Sequence, residues 1–249
     1  SAIKVYIKLM AQNPKITWRK YRRVTGTLDR SYSDLLPFLQ ERMKETENQR
    51  VRLFLAKCIL EIKPGDEKAI KLLRQMLADT GVSEEIREDV ACDLLERDML
   101  PADQKDTIIE LIKQTDRPGS IVRNLTDKRP KWAAETVDKW FPVCLEEDMD
   151  HSVKVWDAIE LQRALAPHIR KTLNNGNKKK VNVCIEILDA YNPEGADGLC
   201  RLLYEQFDDF PDQQTTILWG IGNMACTDEE IIADVKKKLE KADEEPFIS

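Results

Sequence analysis

An internal repeat of one amphipathic helix constrains the fold of this chain more than any other feature. In QRVRLFLAKCILEIK, apolar residues recur at i, i+3, i+4, i+7, i+8 and i+11 counted from Val51, which predicts a helix with one continuous apolar face. Pro64 and Gly65 then end this helix. A shift of 35 residues superposes it on SEEIREDVACDLLE, with the aligned pairs Val51/Ile86, Arg52/Arg87, Leu55/Val90, Ala56/Ala91, Ile59/Leu94, Leu60/Leu95 and Glu61/Glu96.

A second helix follows each of these two, so the repeating unit is a helix pair. Asp66 can cap EKAIKLLRQML, and residues 103–114 form the partner helix of the second repeat. Near the C-terminus, KKKVNVCIEILDA with GLCRLLYEQF and DQQTTILWGIGNM with TDEEIIADVKKKLEKA predict two more pairs, the last with Thr227 and Glu230 as a capping box. The low glycine and aromatic content also favours helix over strand. We therefore predict an all-α fold.

Helix pairs of this length are too small to bury their own apolar faces, and such pairs stack into a solenoid. VRLFLAKCILEI with DEKAIKLLRQML, and ILWGIGNM, resemble the helices and the small-residue turn of HEAT-type repeats, particularly the short HEAT-like repeats of the phycobilisome-lyase class. The resemblance implies a right-handed α-solenoid of HEAT-like helix pairs over residues 1–249 as a single domain. It also implies an interhelical turn at GIG, residues 220–222. Residues 116–160 are the least regular, and the sequence does not pair their helices.

Composition and charge narrow the functional classes. The formal net charge of −6 argues against a dedicated nucleic-acid or membrane binder, and no apolar stretch reaches the length of a membrane span. The six cysteines never occur in CxxC spacing and most lie in apolar runs, so we expect buried thiols, including Cys58, Cys92 and Cys184, in a reducing compartment. We expect a cytoplasmic protein, with the nucleus as an alternative. The start without Met and the end at EEPFIS suit a fragment of a longer protein.

No residue pattern predicts catalysis, a cofactor or a metal site. His151 and His168 lie 17 residues apart, without cysteine or carboxylate partners at metal-ligand spacing, so we expect surface histidines. Paired carboxylates such as Glu84 and Glu85 occupy the first turn of a predicted helix, where they complement the helix dipole. We therefore expect a protein that is not an enzyme and that needs no cofactor.

Basic clusters support an alternative, binding of nucleic acid. The first 28 residues hold seven Lys/Arg and no acid, and Trp18, Tyr21 and Trp132 interleave aromatic rings that could stack on bases. In TWRKYRR, however, the aromatic residues recur at helical spacing, so we interpret its charges as the solvent face of a helix. The basic surface of this alternative would comprise Arg19, Lys20, Arg22, Arg23, Lys128, Arg129, Lys131, Lys178, Lys179 and Lys180.

We expect an interaction module that binds a peptide or helix of another protein, or a neighbouring domain of the same chain, on the surface built from second helices. The alternative is a protein similar to the HEAT-like DNA glycosylases, which use tryptophans with an Asp around a flipped base; Trp156-Asp157 is the only adjacent Trp-Asp pair in the sequence. A third class, the chromophore lyases, rests on the family resemblance alone. The candidate contacts of the interaction module are Lys71, Arg74, Glu110, Lys113, Arg201 and Glu205.

Overall fold

The computed structural model describes Val5 and residues 28–116, 118–196 and 198–244, and every regular element among these residues is helical. The prediction of an all-α fold is confirmed. The described part contains fourteen α-helices: α1 Leu36–Glu45, α2 Gln49–Ile62, α3 Glu67–Ala78, α4 Glu84–Glu96, α5 Lys105–Gln114, α6 Gly119–Lys128, α7 Lys131–Glu135, α8 Val137–Glu146, α9 Ile159–Asn175, α10 Lys178–Leu188, α11 Pro193–Ala196, α12 Leu199–Glu205, α13 Gln214–Asn223 and α14 Glu229–Glu244.

Side-chain caps fix where several helices begin. Asp66 caps α3 as predicted, because its Oδ1 accepts the N–H of Ala69 at 3.2 Å. The expected capping box at Thr227 is wrong, since Asp228 caps α14 instead. Its Oδ1 accepts the N–H groups of Glu230 and Ile231 at 3.1 and 3.3 Å. A carboxylate one residue closer to the helix satisfies the free N–H groups and complements the positive end of the helix dipole.

Three helices end in the same way, with a residue in the left-handed conformation followed by a residue whose N–H bonds back to a carbonyl five residues earlier. These ends are Asp98-Met99 after α4, bonded to Leu94; Asp148-Met149 after α8, bonded to Cys144; and Ala225-Cys226 after α13, bonded to Ile221. Helix α8 lies in the middle of the chain, which looked least regular in sequence. It nevertheless ends with the same geometry as α4.

The chain divides into two units, Ser1–Ile121 and Val122–Ser249, with the division inside α6. In the first unit, α1 packs on α2, α3 packs on both α2 and α4, and α5 packs on α4. The two helices related by the shift of 35 residues, α2 and α4, also contact each other directly. Their shared apolar stripes, with Leu55 and Ile59 on α2 and Val90 and Leu94 on α4, are completely buried.

Ion pairs connect α2 to α4. Lys57 and Asp93 are almost entirely buried, with Nζ and Oδ1 3.4 Å apart. Arg97 Nε binds the other oxygen of Asp93 at 3.2 Å, and its Nη2 binds Glu61 Oε1 at 2.6 Å. Each buried charge in this network therefore faces an opposite charge, which offsets the cost of removing both from water.

The second unit contains two series of contacting helices. Helices α8, α10 and α13 contact one another in order, and so do α7, α9 and α12. Gln162 on α9 is completely buried and connects the segment before α9 with the turn after α10. Its amide donates to the carbonyls of Val155 and Ala190 and accepts the N–H of Asn192. Gly195 lies directly against Gln162, where a Cβ would come within 2.2 Å of the amide oxygen.

Two smaller expectations are wrong. Gly220 and Gly222 lie inside α13 and not in an interhelical turn. Gly220 is buried, and a Cβ there would lie 3.0 Å from the Leu203 side chain, so this glycine allows close helix packing. Cys58 and Cys184 are buried as predicted, but Cys92 is only half-buried because it lies at the edge of the apolar stripe of α4.

Candidate interaction groove

Two adjoining cavities follow the solvent face of α3 in the first unit. Their volumes are about 590 and 240 Å³, and they share Lys71 and Gln75 as lining residues. We call the combined depression the α3 groove. Its larger part is lined by Glu67, Ile70, Lys71, Arg74, Gln75, Ala78 and Gln104, and its smaller part by Gln40, Met43, Lys44, Arg52, Lys68, Lys71, Leu72 and Gln75.

The sequence of α3 explains why one face lines the groove. Its apolar residues lie three or four positions apart and are buried against α2 and α4: Ala69, Leu72, Leu73, Met76 and Leu77. On the opposite face, Lys68, Lys71 and Gln75 are exposed, and Ile70 and Arg74 are half-buried. A helix with this pattern presents a polar surface of about three turns, which is long enough to run beside a bound peptide.

The α3 groove is basic although the chain is acidic. Among its lining residues, Lys44, Arg52, Lys68, Lys71 and Arg74 carry positive charge, whereas Glu67 is the one acid of this described set. The whole chain has a formal net charge of −6. A concave basic surface attracts acidic segments of a partner.

Arg52 contributes a buried polar atom that is not satisfied. Its Nε is buried and has no hydrogen-bond acceptor among the described residues, and we call this atom the open donor. The residue at the same repeat position, Arg87, donates from Nε to the carbonyl of Leu77 at 3.0 Å. Because an unsatisfied buried N–H is costly, the contrast between two equivalent arginines needs an explanation.

A second unsatisfied atom lies in the larger part of the groove. Gln104 donates from Nε2 to the Arg74 carbonyl at 2.9 Å, but its Oε1 is buried and finds no donor within the described part of the chain. We call this oxygen the open acceptor. Arg74 is held in place by two bonds to the carbonyl of Met99, at 3.1 Å from Nε and 2.7 Å from Nη2. Gln104 and Arg74 are therefore fixed relative to each other.

Asp66 fixes the rim of the groove at the start of α3. Gln40 Nε2 donates to its Oδ2 at 2.9 Å, and Lys63 Nζ lies 3.3 Å from the same oxygen. Burial alone would raise the pKa of Asp66, but the Ala69 N–H, the Lys63 ammonium and the Gln40 amide outweigh burial, so its pKa is lowered. Asp66 therefore stays ionised and holds Gln40 against the groove.

The structure brings two of the predicted contact residues together. Lys71 and Arg74 both line the α3 groove. Glu110 and Lys113 lie on α5 and pair with each other, with Nζ 2.9 Å from Oε1. In the second unit, Arg201 binds Asp228 and Glu230 through Nη2 at 2.6 and 2.9 Å, and Glu205 is exposed at the end of α12.

The residues of the predicted basic surface that the structure describes make individual contacts with neighbouring groups. Arg19, Lys20, Arg22 and Arg23 lie outside the described part of the chain. Lys179 donates to the Glu146 carbonyl, Lys180 binds the Glu146 carboxylate, and Lys178 lies over the Phe210 ring. These lysines of α10 therefore have contacts within the second unit. Trp132, which only the nucleic-acid alternative offered for stacking on bases, is buried in the core.

The third basic cluster lies beside an exposed tryptophan. Arg129 donates from Nη1 to the Asp157 carbonyl at 3.2 Å and from Nη2 to the Trp156 carbonyl. Val155 and Ala158, on either side of this turn, are buried, and Asp157 has a φ of 54°. The side chain of Trp156 is 57% exposed. Its turn is therefore firmly held, and Lys128 and Lys131 are exposed on either side of Arg129 in sequence.

The described residues give no sign of metal chemistry or a membrane span. None of their His, Cys, Asp and Glu side chains form a cluster that could hold a metal ion. Within the same ranges, no helix combines the length and the apolar character needed to cross a bilayer. Comparison with known proteins finds no family model, curated protein or solved structure that matches the chain. The functional proposal therefore rests on the side chains of the α3 groove.

Sequence reasoning missed several residues of the groove. The spacing of α3 indicated Lys71 and Arg74, and the same helical period also places Lys68 and Gln75 on the exposed face. Arg52 and Gln104 could not be found in this way. Arg52 occupies the repeat position at which Arg87 makes a purely internal hydrogen bond. Gln104 lay inside the helix predicted over residues 103–114, but in the structure it ends a 3-10 turn just before α5.

Proposed function

We propose that this protein is a non-enzymatic interaction module that binds an acidic segment of a partner protein in the α3 groove. The observation that carries the proposal is the open donor of Arg52 within a basic groove. If the Arg52 side chain turns toward the groove, a carboxylate from the partner would accept this N–H and neutralise the guanidinium through a strong, charge-assisted hydrogen bond. An unsatisfied buried N–H destabilises the folded protein. A partner that supplies an acceptor would explain why this donor is kept.

The larger part of the groove defines the rest of the occupant. The open acceptor of Gln104 requires an N–H or O–H donor, which a peptide backbone or a side-chain amide supplies. Lys68 and Lys71, which are exposed on α3 and line the groove, would face further carboxylates of the same segment. The occupant that satisfies both atoms is therefore a short stretch rich in Asp and Glu, in contact with α3 along its length.

We also propose that the helix pairs stack as a HEAT-like α-solenoid. The direct contact of α2 with α4, and the ordered contacts of α8, α10 and α13 in the second unit, support this arrangement, since each helix contacts its equivalent in the next pair. Under this proposal α3 is a second helix. The α3 groove then lies on the surface by which solenoids bind peptides.

Charge reversal on α3 tests the proposed function. The probe is a fluorescein-labelled peptide of alternating Glu and Ala residues, and its amide-matched Gln version reports binding that does not depend on charge. We expect Lys68→Glu with Lys71→Glu to weaken binding of the Glu peptide about tenfold, because each reversed contact costs on the order of 0.7 kcal/mol. Fluorescence anisotropy at about 50 mM salt, where screening is weak, measures the affinity.

A matched variant controls for overall charge. Lys236 and Lys237 are exposed on α14, and Lys236→Glu with Lys237→Glu lowers the net charge by the same four units, from −6 to −10. We expect this control to bind the Glu peptide within about twofold of the unaltered protein, since its changes are on another surface. Equal losses in both double variants, or equal binding of the Glu and Gln peptides, would refute the proposed groove.

The Trp156 turn supports a second candidate function, binding of single-stranded nucleic acid. An exposed indole on a firmly held turn can stack on a base, and Lys128 and Lys131 could contact phosphates. Arg129 already donates to the two carbonyls of the turn, which weakens the case for nucleic-acid binding. We expect an oligothymidine strand to show no micromolar binding at about 150 mM salt. Tight, salt-dependent binding that is lost in Trp156→Ala would establish the second candidate.

A further inference from the structure

A cavity of about 540 Å³ also lies on the solvent side of α9. Helix α9 lines it with Arg163, Ala166, Pro167 and Arg170, and the short helix α11 lines it with its first three residues. We call this depression the α9 groove. All of its lining residues belong to the second unit, so it is separate from the α3 groove of the first unit.

The α9 groove has the same layout as the larger part of the α3 groove. In both, one helix lines the cavity with residues at positions i, i+3, i+4 and i+7, which are Glu67, Ile70, Lys71 and Arg74 on α3 and Arg163, Ala166, Pro167 and Arg170 on α9. In both, the other wall comes from the segment before a later helix, at Gln104 before α5 and at residues 193–195 before α12. The two cavities, of about 590 and 540 Å³, are also similar in volume.

The two helices have equivalent places in their units. Helix α9 belongs to the series α7, α9 and α12, and the sequence predicts α12 as the second helix of its pair. In the first unit α3 is likewise the second helix, following α2. The same surface of the helix pair therefore carries a groove in each unit, with an arginine at the i+7 position in both.

Two arginines make the α9 groove basic. Arg163 and Arg170 are exposed and lie about 10 Å apart along the helix, with Glu194 as the acid of this lining set. The Nε of Arg163 donates to the Glu194 carbonyl at 3.4 Å. The guanidinium of Arg170 lies beside Gly198, where a Cβ would be 3.6 Å from Nη2. Each arginine is thus next to backbone of the segment that follows α10, which keeps both near the cavity.

Pro167 adds a hydrogen-bond acceptor between the two arginines. Proline has no N–H, so Pro167 cannot donate the bond that an α-helix normally makes to the carbonyl four residues earlier, which is that of Arg163. This carbonyl therefore lacks its usual helical partner. The α9 groove thus offers charged donors and a backbone acceptor, the same combination that Arg74 and Gln104 provide in the α3 groove.

We propose that the α9 groove is a second binding site, which takes a second acidic stretch of the partner protein. This inference rests on the proposed function of the α3 groove and extends it to the second unit. Carboxylates of the stretch would pair with Arg163 and Arg170, and guanidinium groups bind carboxylates well because their N–H donors form a planar fork. A backbone N–H of the same stretch would donate to the Arg163 carbonyl.

An NMR titration of the whole chain tests the proposal, because amide resonances report each groove separately. The unlabelled Glu peptide is added to ¹⁵N-labelled protein at about 50 mM salt. We expect it to shift the amides of Gly195 and Gly198, which report the α9 groove, and those of Lys71 and Gln75, which report the α3 groove. The Gln peptide should shift neither group, since it lacks the charge.

Charge reversal then assigns each group of shifts to its groove. Arg163→Glu with Arg170→Glu should weaken the affinity measured at Gly195 and Gly198 about tenfold and leave the affinity at the α3 groove within about twofold. The α3 resonances also report that this variant is folded, and Arg163→Gln with Arg170→Gln is a milder version that removes charge without reversing it. Lys236→Glu with Lys237→Glu, which changes the net charge equally, should retain both groups of shifts.

The two proposals can fail separately. Shifts at the α3 groove alone would overturn the second site and leave the proposed function standing. Shifts at the α9 groove alone, lost on reversal of its arginines, would support the second site and refute the α3 groove. Shifts at neither groove, or α9 shifts that persist after Arg163 and Arg170 are reversed, would overturn the second site.

Discussion

The α2–α4 interface and the α3 groove treat their polar side chains in opposite ways. Between α2 and α4, charged side chains pair with one another: Lys57, Asp93, Arg97 and Glu61. Arg87 of α4 likewise donates to the Leu77 carbonyl of α3. In the α3 groove, the open donor of Arg52 and the open acceptor of Gln104 have no hydrogen-bond partner among the described residues. Because folding alone favours satisfied polar groups, this difference is the basis for our proposal that the groove binds a partner, whereas the interface stabilises the fold.

The largest expected effect concerns the interface. Asp93→Ala should lower the free energy of unfolding by about 3–5 kcal/mol, because it removes the buried carboxylate that pairs with both Lys57 and Arg97. Urea unfolding followed by circular dichroism measures the change. The double variant Lys57→Met with Asp93→Leu should recover most of the loss, since an apolar pair carries no desolvation cost. A loss as large in the double variant would mean that packing, and not charge, accounts for the effect.

Arg87 should show a smaller loss. Arg87→Met removes the bond to the Leu77 carbonyl and should lower the free energy of unfolding by about 1–3 kcal/mol, as expected for a hydrogen bond from a charged donor. The measurement is urea unfolding at neutral pH. A stability equal to that of the unaltered protein would show that the Arg87 bond is not structural, and the contrast with Arg52 would then lose its meaning.

Asp66 lies at the rim between the two regions, and its contribution depends on pH. A carboxylate whose pKa is lowered by folding stabilises the protein above its unfolded pKa of about 4, and that stability is lost as the pH falls through the folded pKa. Asp66→Asn keeps a capping side chain but not the charge. We therefore expect it to cost about 1 kcal/mol at pH 7 and progressively less at lower pH. A cost that stays constant down to pH 2 would contradict the assigned charge.

Much of the fold could be predicted from the sequence, because helical periodicity and capping are local. The apolar stripes of α2, α3 and α4, and the cap at Asp66, are where the spacing predicted them. The repeated helix ends were missed, although LERDM and LEEDM both end in a left-handed Asp followed by Met. Pro142 within α8 concealed the relation, since it interrupts the usual helical signal.

The groove could be predicted only in part. Helical spacing indicates which residues of α3 face solvent, which is how Lys71 and Arg74 were chosen. It does not indicate which buried atoms lack partners. Arg52 and Arg87 are identical in the aligned repeats, and only the positions of the surrounding carbonyls distinguish the satisfied arginine from the open donor. Tertiary structure therefore supplies the information that turns a repeat position into a candidate binding position.

The most direct test of this account measures stability and binding together in Arg52→Met. We expect the smallest effect on folding, with the Tm unchanged or slightly raised, because the substitution removes an unsatisfied buried donor. The same variant should bind the Glu peptide about tenfold more weakly than the unaltered protein, whereas Arg87→Met should lower the Tm but keep its affinity. A clear fall in Tm for Arg52→Met with full retention of peptide binding would contradict the claim that the open donor is reserved for a partner.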